Sequence, residues 1–154
     1  MRWALLLLGL GLAACDGGGG GEKAVVERII DGDTVELQDG QRLRYLMIDT
    51  PETTGGATDC YGQEAKDFNT QLVLGQEVEL TFDVERTDNF GRLLAYVSVA
   101  GREVNTLMVE RGYACVLLIP PNGEDRRVEF ENLEMEARGF GRGMWGACEV
   151  VTCD

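Results

Sequence analysis

Hydrophobic and polar positions divide the chain into short elements separated by abrupt turn signals. Ala24-Val-Val-Glu-Arg-Ile-Ile30 is apolar and β-branched, which predicts a first strand. Thr34-Val-Glu-Leu-Gln38 alternates and predicts a second, and residues 41–48 predict a third. Asp31-Gly32 and Asp39-Gly40 separate them as tight turns, so the three form a meander. A polar loop over 50–59 follows. Tyr61, Ala65, Phe68 and Leu72 then recur at helical spacing and predict a helix over 61–73. Val78–Phe82 and Leu93–Val99 predict a fourth and a fifth strand. Val104, Leu107 and Met108 mark a short helix ending at Gly112. Pro120-Pro-Asn-Gly123 breaks the chain, and Phe130, Leu133 and Ala137 mark a third helix.

Five strands with a helix after the third, and two further helices after the fifth, give the order of an OB-type barrel. This is an α+β fold made mainly of strands. Closure removes free sheet edges and leaves a concave face with loops for a ligand. The plainer expectation is an α+β domain without that closure.

The N-terminus breaks the pattern. Residues 1–14 carry one positive charge and then an apolar run. The run is shorter than the about 20 residues a membrane helix needs, and it fits a secretory leader. Leu12-Ala13-Ala14-Cys15 resembles the bacterial lipobox, in which the cysteine is diacylated and becomes the new N-terminus. Asp16 and the five glycines from Gly17 to Gly21 form a flexible tether, which leaves one folded domain over 22–154. The expected location is the cell envelope, with a monomer anchored through Cys15 on the extracytoplasmic side of a membrane. Asp16 resembles a signal that retains lipoproteins at the inner membrane of some Gram-negative bacteria. Without Cys15, four of the five cysteines remain: Cys60, Cys115, Cys148 and Cys153. In an oxidising compartment they predict two disulfides, with three pairings open.

Charge and composition narrow the chemistry. The net charge is −13, from 14 basic and 27 acidic residues. Loss of Arg2 with the leader leaves 13 basic residues and a net charge of −14. That is unfavourable for nonspecific contact with polyanions. Histidine is absent, so acid–base work falls to Asp, Glu, Lys, Tyr or Arg. A metal would be held mainly by oxygen, which favours Ca²⁺ or Mg²⁺.

Three loops concentrate charge: Asp31-Gly-Asp-Thr34, Arg44 with Asp49-Thr-Pro-Glu52, and Asp88-Asn-Phe-Gly-Arg92. Each alone fits a turn or a solvated loop. In a meander, however, the start of strand two and the end of strand three lie at the same end of the sheet. Asp33 and Asp49 can therefore approach, and a hard cation would relieve their repulsion, with the Thr50 carbonyl as a further ligand. Arg44 leans from the same strand toward whatever the cation binds. Two arginines and a cation suit a phosphoryl centre, and Glu52 is left to orient or deprotonate water.

The motifs Ile30-Asp-Gly-Asp-Thr-Val35, Arg44 with Ile48-Asp-Thr-Pro-Glu52, Tyr61-Gly-x-Glu-Ala65 and Arg86-Thr-Asp-x-Phe-Gly-Arg92-x-Leu-Ala-Tyr96 resemble the staphylococcal nuclease family. The resemblance extends over about residues 24–145, where Val104-Asn105, Gly112 and Trp145 also fall in step. It implies an OB-fold, Ca²⁺-dependent enzyme that cleaves DNA and RNA and leaves 3′-phosphates. Asp33, Asp49 and the Thr50 carbonyl would be the calcium ligands, with Asp31 a nearby acid. Arg44 and Arg92 would clamp the phosphate and Glu52 would be the general base. The resemblance also favours pairing Cys60 with Cys148 and Cys115 with Cys153. Two departures bear on the substrate: the family prototype is basic, and it places tyrosines against the nucleotide. Phe90 takes one such place and can stack, and Leu118 takes the other and cannot. With no lysine between Glu52 and Lys66, the expected binding is weak and sensitive to salt. The competing expectation is a noncatalytic OB-type lipoprotein that binds nucleic acid or protein.

Overall fold

The structure, a computed structural model, describes residues 21–53 and 58–153. The leader, Cys15 and the tether up to Gly20 lie outside the described residues, as do four residues of the loop after Glu52.

Five strands make the barrel: β1 (Glu22–Ile29), β2 (Thr34–Leu37), β3 (Arg42–Tyr45), β5 (Glu77–Thr81) and β6 (Leu93–Val99). Their order is β3-β2-β1-β5-β6, with antiparallel neighbours, and parallel pairing of β3 with β6 closes the circle. One long strand, β1, serves both halves. Its first residues pair with β5 and its last with β2, and the register shifts between Val26 and Arg28. Such an irregularity bends a strand and lets a sheet curl. Side chains alternate as the pattern requires. Val26, Val35, Leu43, Tyr45, Leu80 and Val97 are buried inside, and Arg42 and Arg44 point outward from β3.

Helix α1 (Gly62–Val73) follows the polar loop, as expected. Helices α2 (Val104–Glu110) and α3 (Arg127–Gly139) pack together below the barrel, and Phe130 of α3 reaches into the core. Four small elements were not expected: β7 (Arg102–Glu103), β8 (Cys115–Val116), a 3₁₀ turn at Glu124–Arg126 and α4 (Met144–Ala147). They are too short to leave a periodic signal. Cys60 is bonded to Cys148 and Cys115 to Cys153, so the C-terminal tail is fastened both to the start of α1 and to β8 (Cys115–Val116).

The third strand expected over 41–48 is interrupted. The chain leaves the barrel at Leu46 and Met47, and Met47 takes a left-handed φ of 67°. It resumes as β4 (Ile48–Asp49), which pairs with β8 instead of a barrel strand. The buried Asn105 of α2 stabilises the break. Its Nδ2 donates to the Leu46 carbonyl at 2.8 Å, and its Oδ1 accepts from the Val97 N–H at 2.9 Å. Asn105→Ala would leave both backbone groups unpaired in the interior. We expect it to cost about 2 kcal/mol in urea unfolding, against little change for an exposed control such as Asn89→Ala.

Candidate active site

The break at Met47 is what builds the site. Because the chain turns after Tyr45, Asp49 comes back alongside the Arg44 side chain. Arg44 Nη2 lies 3.0 Å from Asp49 Oδ1, and Nη1 lies 3.3 Å from Asp33 Oδ2. One guanidinium thus joins the two carboxylates expected to converge. Arg44 and Asp49 are 14% exposed and Asp33 is 7%, a setting in which charge pairs are weakly screened. Nη1 also donates to the carbonyls of Tyr45 and Ile48, at 3.0 and 2.7 Å, so the same side chain braces the turn.

Asp33 is held from every side. Its Oδ2 accepts from the Thr50 N–H at 2.9 Å and from the Thr50 hydroxyl at 3.1 Å. Its Oδ1 accepts from the Thr34 hydroxyl at 3.0 Å. The Asp31 carboxylate accepts from the Asp33 N–H at 3.1 Å. Burial, then the negative charges of Asp33 and Glu52, push Asp31 up to about 7. Gly32 between the two acids has no room for a side chain, because a Cβ there would run into Thr50 at 2.7 Å. Helix α1 steadies the loop from behind: Asn69 Nδ2 donates to the Asp31 carbonyl at 3.2 Å and Asn69 Oδ1 accepts from the Tyr45 hydroxyl at 3.0 Å.

Glu52 lies on the same side as Asp31 and is exposed. Its backbone is fixed by Asp59. The Glu52 N–H donates to Asp59 Oδ2 at 3.2 Å and the Glu52 carbonyl accepts from the Asp59 N–H at 3.0 Å. Gly62, at the start of α1, lets the helix press against that carbonyl.

Arg44 also lines a cleft of about 400 Å³ that contains Arg92, Phe90, Leu117 and Ile119. The two arginines therefore share one cavity. Arg92 is aimed by Asp88, whose carboxylate accepts from Arg92 Nε at 2.7 Å and from the Arg92 N–H at 3.0 Å. Burial alone would raise Asp88, but the hydrogen bonds from Arg92 outweigh it and hold the carboxyl below its ordinary range. Phe90 is 85% exposed at the mouth of the cleft. Leu118, expected on the substrate side, packs against the core instead. After β8 the chain continues to alternate, and this turns Leu117 and Ile119 toward the cleft.

The donor set fits a hard divalent cation. Among the described residues no three His, Cys, Asp or Glu side chains are grouped to hold a metal. A cation would rest on Asp33, Asp49 and the Thr50 carbonyl, with water completing the shell. The ligands are all oxygen, and the surrounding acids exceed the single charge of Arg44. Sequence reasoning assigned no role to the two acids that hold other residues, Asp59 and Asp88. For Asp88 there was a signal, its place four residues before Arg92 in a Gly-containing turn.

Comparison with known proteins identifies the family of the chain. Residues 42–147 match the model of the family described as staphylococcal nuclease homologue. A thermonuclease of Staphylococcus intermedius is 36% identical over 130 residues, covering 81% of this chain and 77% of that protein. Endonuclease YncB of Bacillus subtilis is 35% identical over 133 residues, covering 82% of this chain but 63% of that protein, less than two thirds of its length. A thermonuclease of Staphylococcus hyicus is 34% identical over 125 residues, covering 78% of this chain and 73% of that protein. A barrel closed between β3 and β6, a guanidinium joining two carboxylates, and these matches lead to one conclusion: the chain belongs to the staphylococcal nuclease homologue family.

Proposed function

We propose that this protein is a calcium-dependent, sugar-nonspecific endonuclease that hydrolyses phosphodiester bonds of DNA and RNA and leaves 3′-phosphates. The observation that carries the proposal is Arg44, which binds Asp33 and Asp49 and also opens onto the cleft shared with Arg92. Asp33, Asp49 and the Thr50 carbonyl would hold Ca²⁺, which when bound supplies positive charge to the phosphate oxygens. Arg44 and Arg92 provide planar donors to those oxygens, and Asp88 keeps Arg92 turned toward them. Glu52 orients a water and takes its proton as the water oxygen bonds to phosphorus. The bond from phosphorus to the 5′-oxygen breaks, and the leaving 5′-oxygen takes a proton from solvent to become the 5′-hydroxyl. Phe90 offers a face on which a base can stack.

We also infer that the domain works as a monomer held at the extracytoplasmic face of a membrane by lipid on Cys15. The leader, the lipobox-like residues and an even set of four further cysteines support this.

Heat-denatured DNA incubated with the purified protein should be cut in calcium and left whole in excess chelator. Failure to cut across a range of salt would overturn the proposal. Retention of DNA without cutting would favour a noncatalytic binding module.

A further inference from the structure

We propose that the groove on the far side of Phe90 is a second nucleotide subsite, in which Arg42 holds the phosphate adjoining the one clamped by Arg44 and Arg92. The subsite presupposes the nuclease function proposed above and extends it along the strand. The groove encloses about 710 Å³ between Gly40, Gln41, Arg42, Phe90, Gly91 and Arg92. Phe90 and Arg92 line both this groove and the cleft, so a single exposed ring stands between the two.

Barrel closure explains why the arginines gather here. The parallel register sets Leu43 beside Leu93, so Arg42 and Arg92 each enter a strand at the same end of the pair. Arg42 and Arg44 share the outward face of β3, because the residue between them, Leu43, is buried. The acids around the groove are held chiefly by other residues, although Glu36 also feels the charge of Arg42. Glu36, opposite Arg42 in the register, pairs with Arg28 at 2.6 Å. Asp39 accepts from the Gln41 side chain at 2.6 Å, and Asp88 pairs with Arg92. Among the described residues Arg42 forms no salt bridge. Gly40 and Gly91 have nothing within 4 Å of where a Cβ would stand, so the floor of the groove is open backbone.

An aromatic ring flanked by guanidinium groups is the chemistry that binds single-stranded nucleic acid: a base stacks and the phosphates meet positive charge. In a chain of net charge −13, Arg42 adds a positive charge beside two arginines that already face acids, and a phosphate can meet it there. A base beyond the cleft would lie on the outer face of Phe90, with its phosphate on Arg42.

The test compares the full-length protein's binding of fluorescein-labelled thymidine dinucleotide and octanucleotide, in chelator so that nothing is cut. Wild type should bind the octanucleotide more tightly and with a steeper salt dependence. Arg42→Ala should lower the octanucleotide's salt slope by about 0.7, the value for one phosphate contact on a single strand. Arg42→Glu should remove about tenfold of the octanucleotide's advantage while dinucleotide binding stays the same. Phe90→Ala should weaken the octanucleotide without changing the salt slope. No length advantage in wild type, or one that survives Arg42→Glu, would overturn the subsite. Cleavage in calcium, measured in parallel, separates the two proposals. Cutting with an advantage insensitive to Arg42 removes the subsite alone. An Arg42-dependent advantage without cutting removes the nuclease function alone.

Discussion

Glu52→Gln should lower turnover by about 10²–10⁴ while leaving the domain folded and the Michaelis constant close to wild type. Glutamine keeps the shape of the side chain but cannot take a proton from water. Glu52 is exposed, and Asp59 holds its backbone at both the N–H and the carbonyl. The substitution touches neither of those bonds. Single-turnover cleavage of a labelled oligonucleotide in saturating calcium measures the effect, and thermal unfolding serves as the control. Wild-type turnover would take Glu52 out of the proton step. A fall in turnover accompanied by a fall in melting temperature would give it a structural role instead.

Asp33→Ala should have the largest effect on stability, about 3 kcal/mol, and should also abolish any stabilisation by calcium. The Asp33 carboxylate accepts from the Thr50 N–H, the Thr50 hydroxyl and the Thr34 hydroxyl, and it lies against the Arg44 guanidinium. Removing it leaves buried donors unpaired and weakens the hold on a buried positive charge. The loss is partly offset, because Asp33 also repels Asp31. Urea unfolding with and without calcium separates the two consequences. Wild type should gain stability as calcium rises, and the variant should gain none. A variant that still responds to calcium would remove Asp33 from the ligand set.

The barrel was legible because its strands carry clean alternation and its turns carry Asp-Gly pairs. Leu43 and Tyr45 face in and Arg42 and Arg44 face out, as period two requires. The break after Tyr45 was not legible. Leu46, Met47 and Ile48 are all apolar, and an apolar run extends a strand on paper. The break is held by Asn105, nearly sixty residues later, which bonds the Leu46 carbonyl, and local sequence cannot show that contact. The position of Leu118 failed for a related reason: alternation restarts at β8, and the phase of that restart depends on pairing with β4. The convergence of Asp33, Arg44 and Asp49 was legible because a meander returns their loops to one end of the sheet. The acids that aim them, Asp59 and Asp88, act through bonds to backbone or to neighbouring side chains, and sequence alone gave them no separate role.

Closure of the barrel between β3 and β6 also sets when in the life of the chain the site can exist. Arg44 and its two carboxylates belong to the first third of the sequence, and Arg92 arrives some fifty residues later, at the start of the strand that seals the circle. Pairing between parallel segments so far apart is slow to form, because the intervening chain must first be ordered. A chain still being made therefore carries the acids and one arginine without a cleft. Arg44 and Arg92 therefore come to line one cleft only once β3 and β6 have paired.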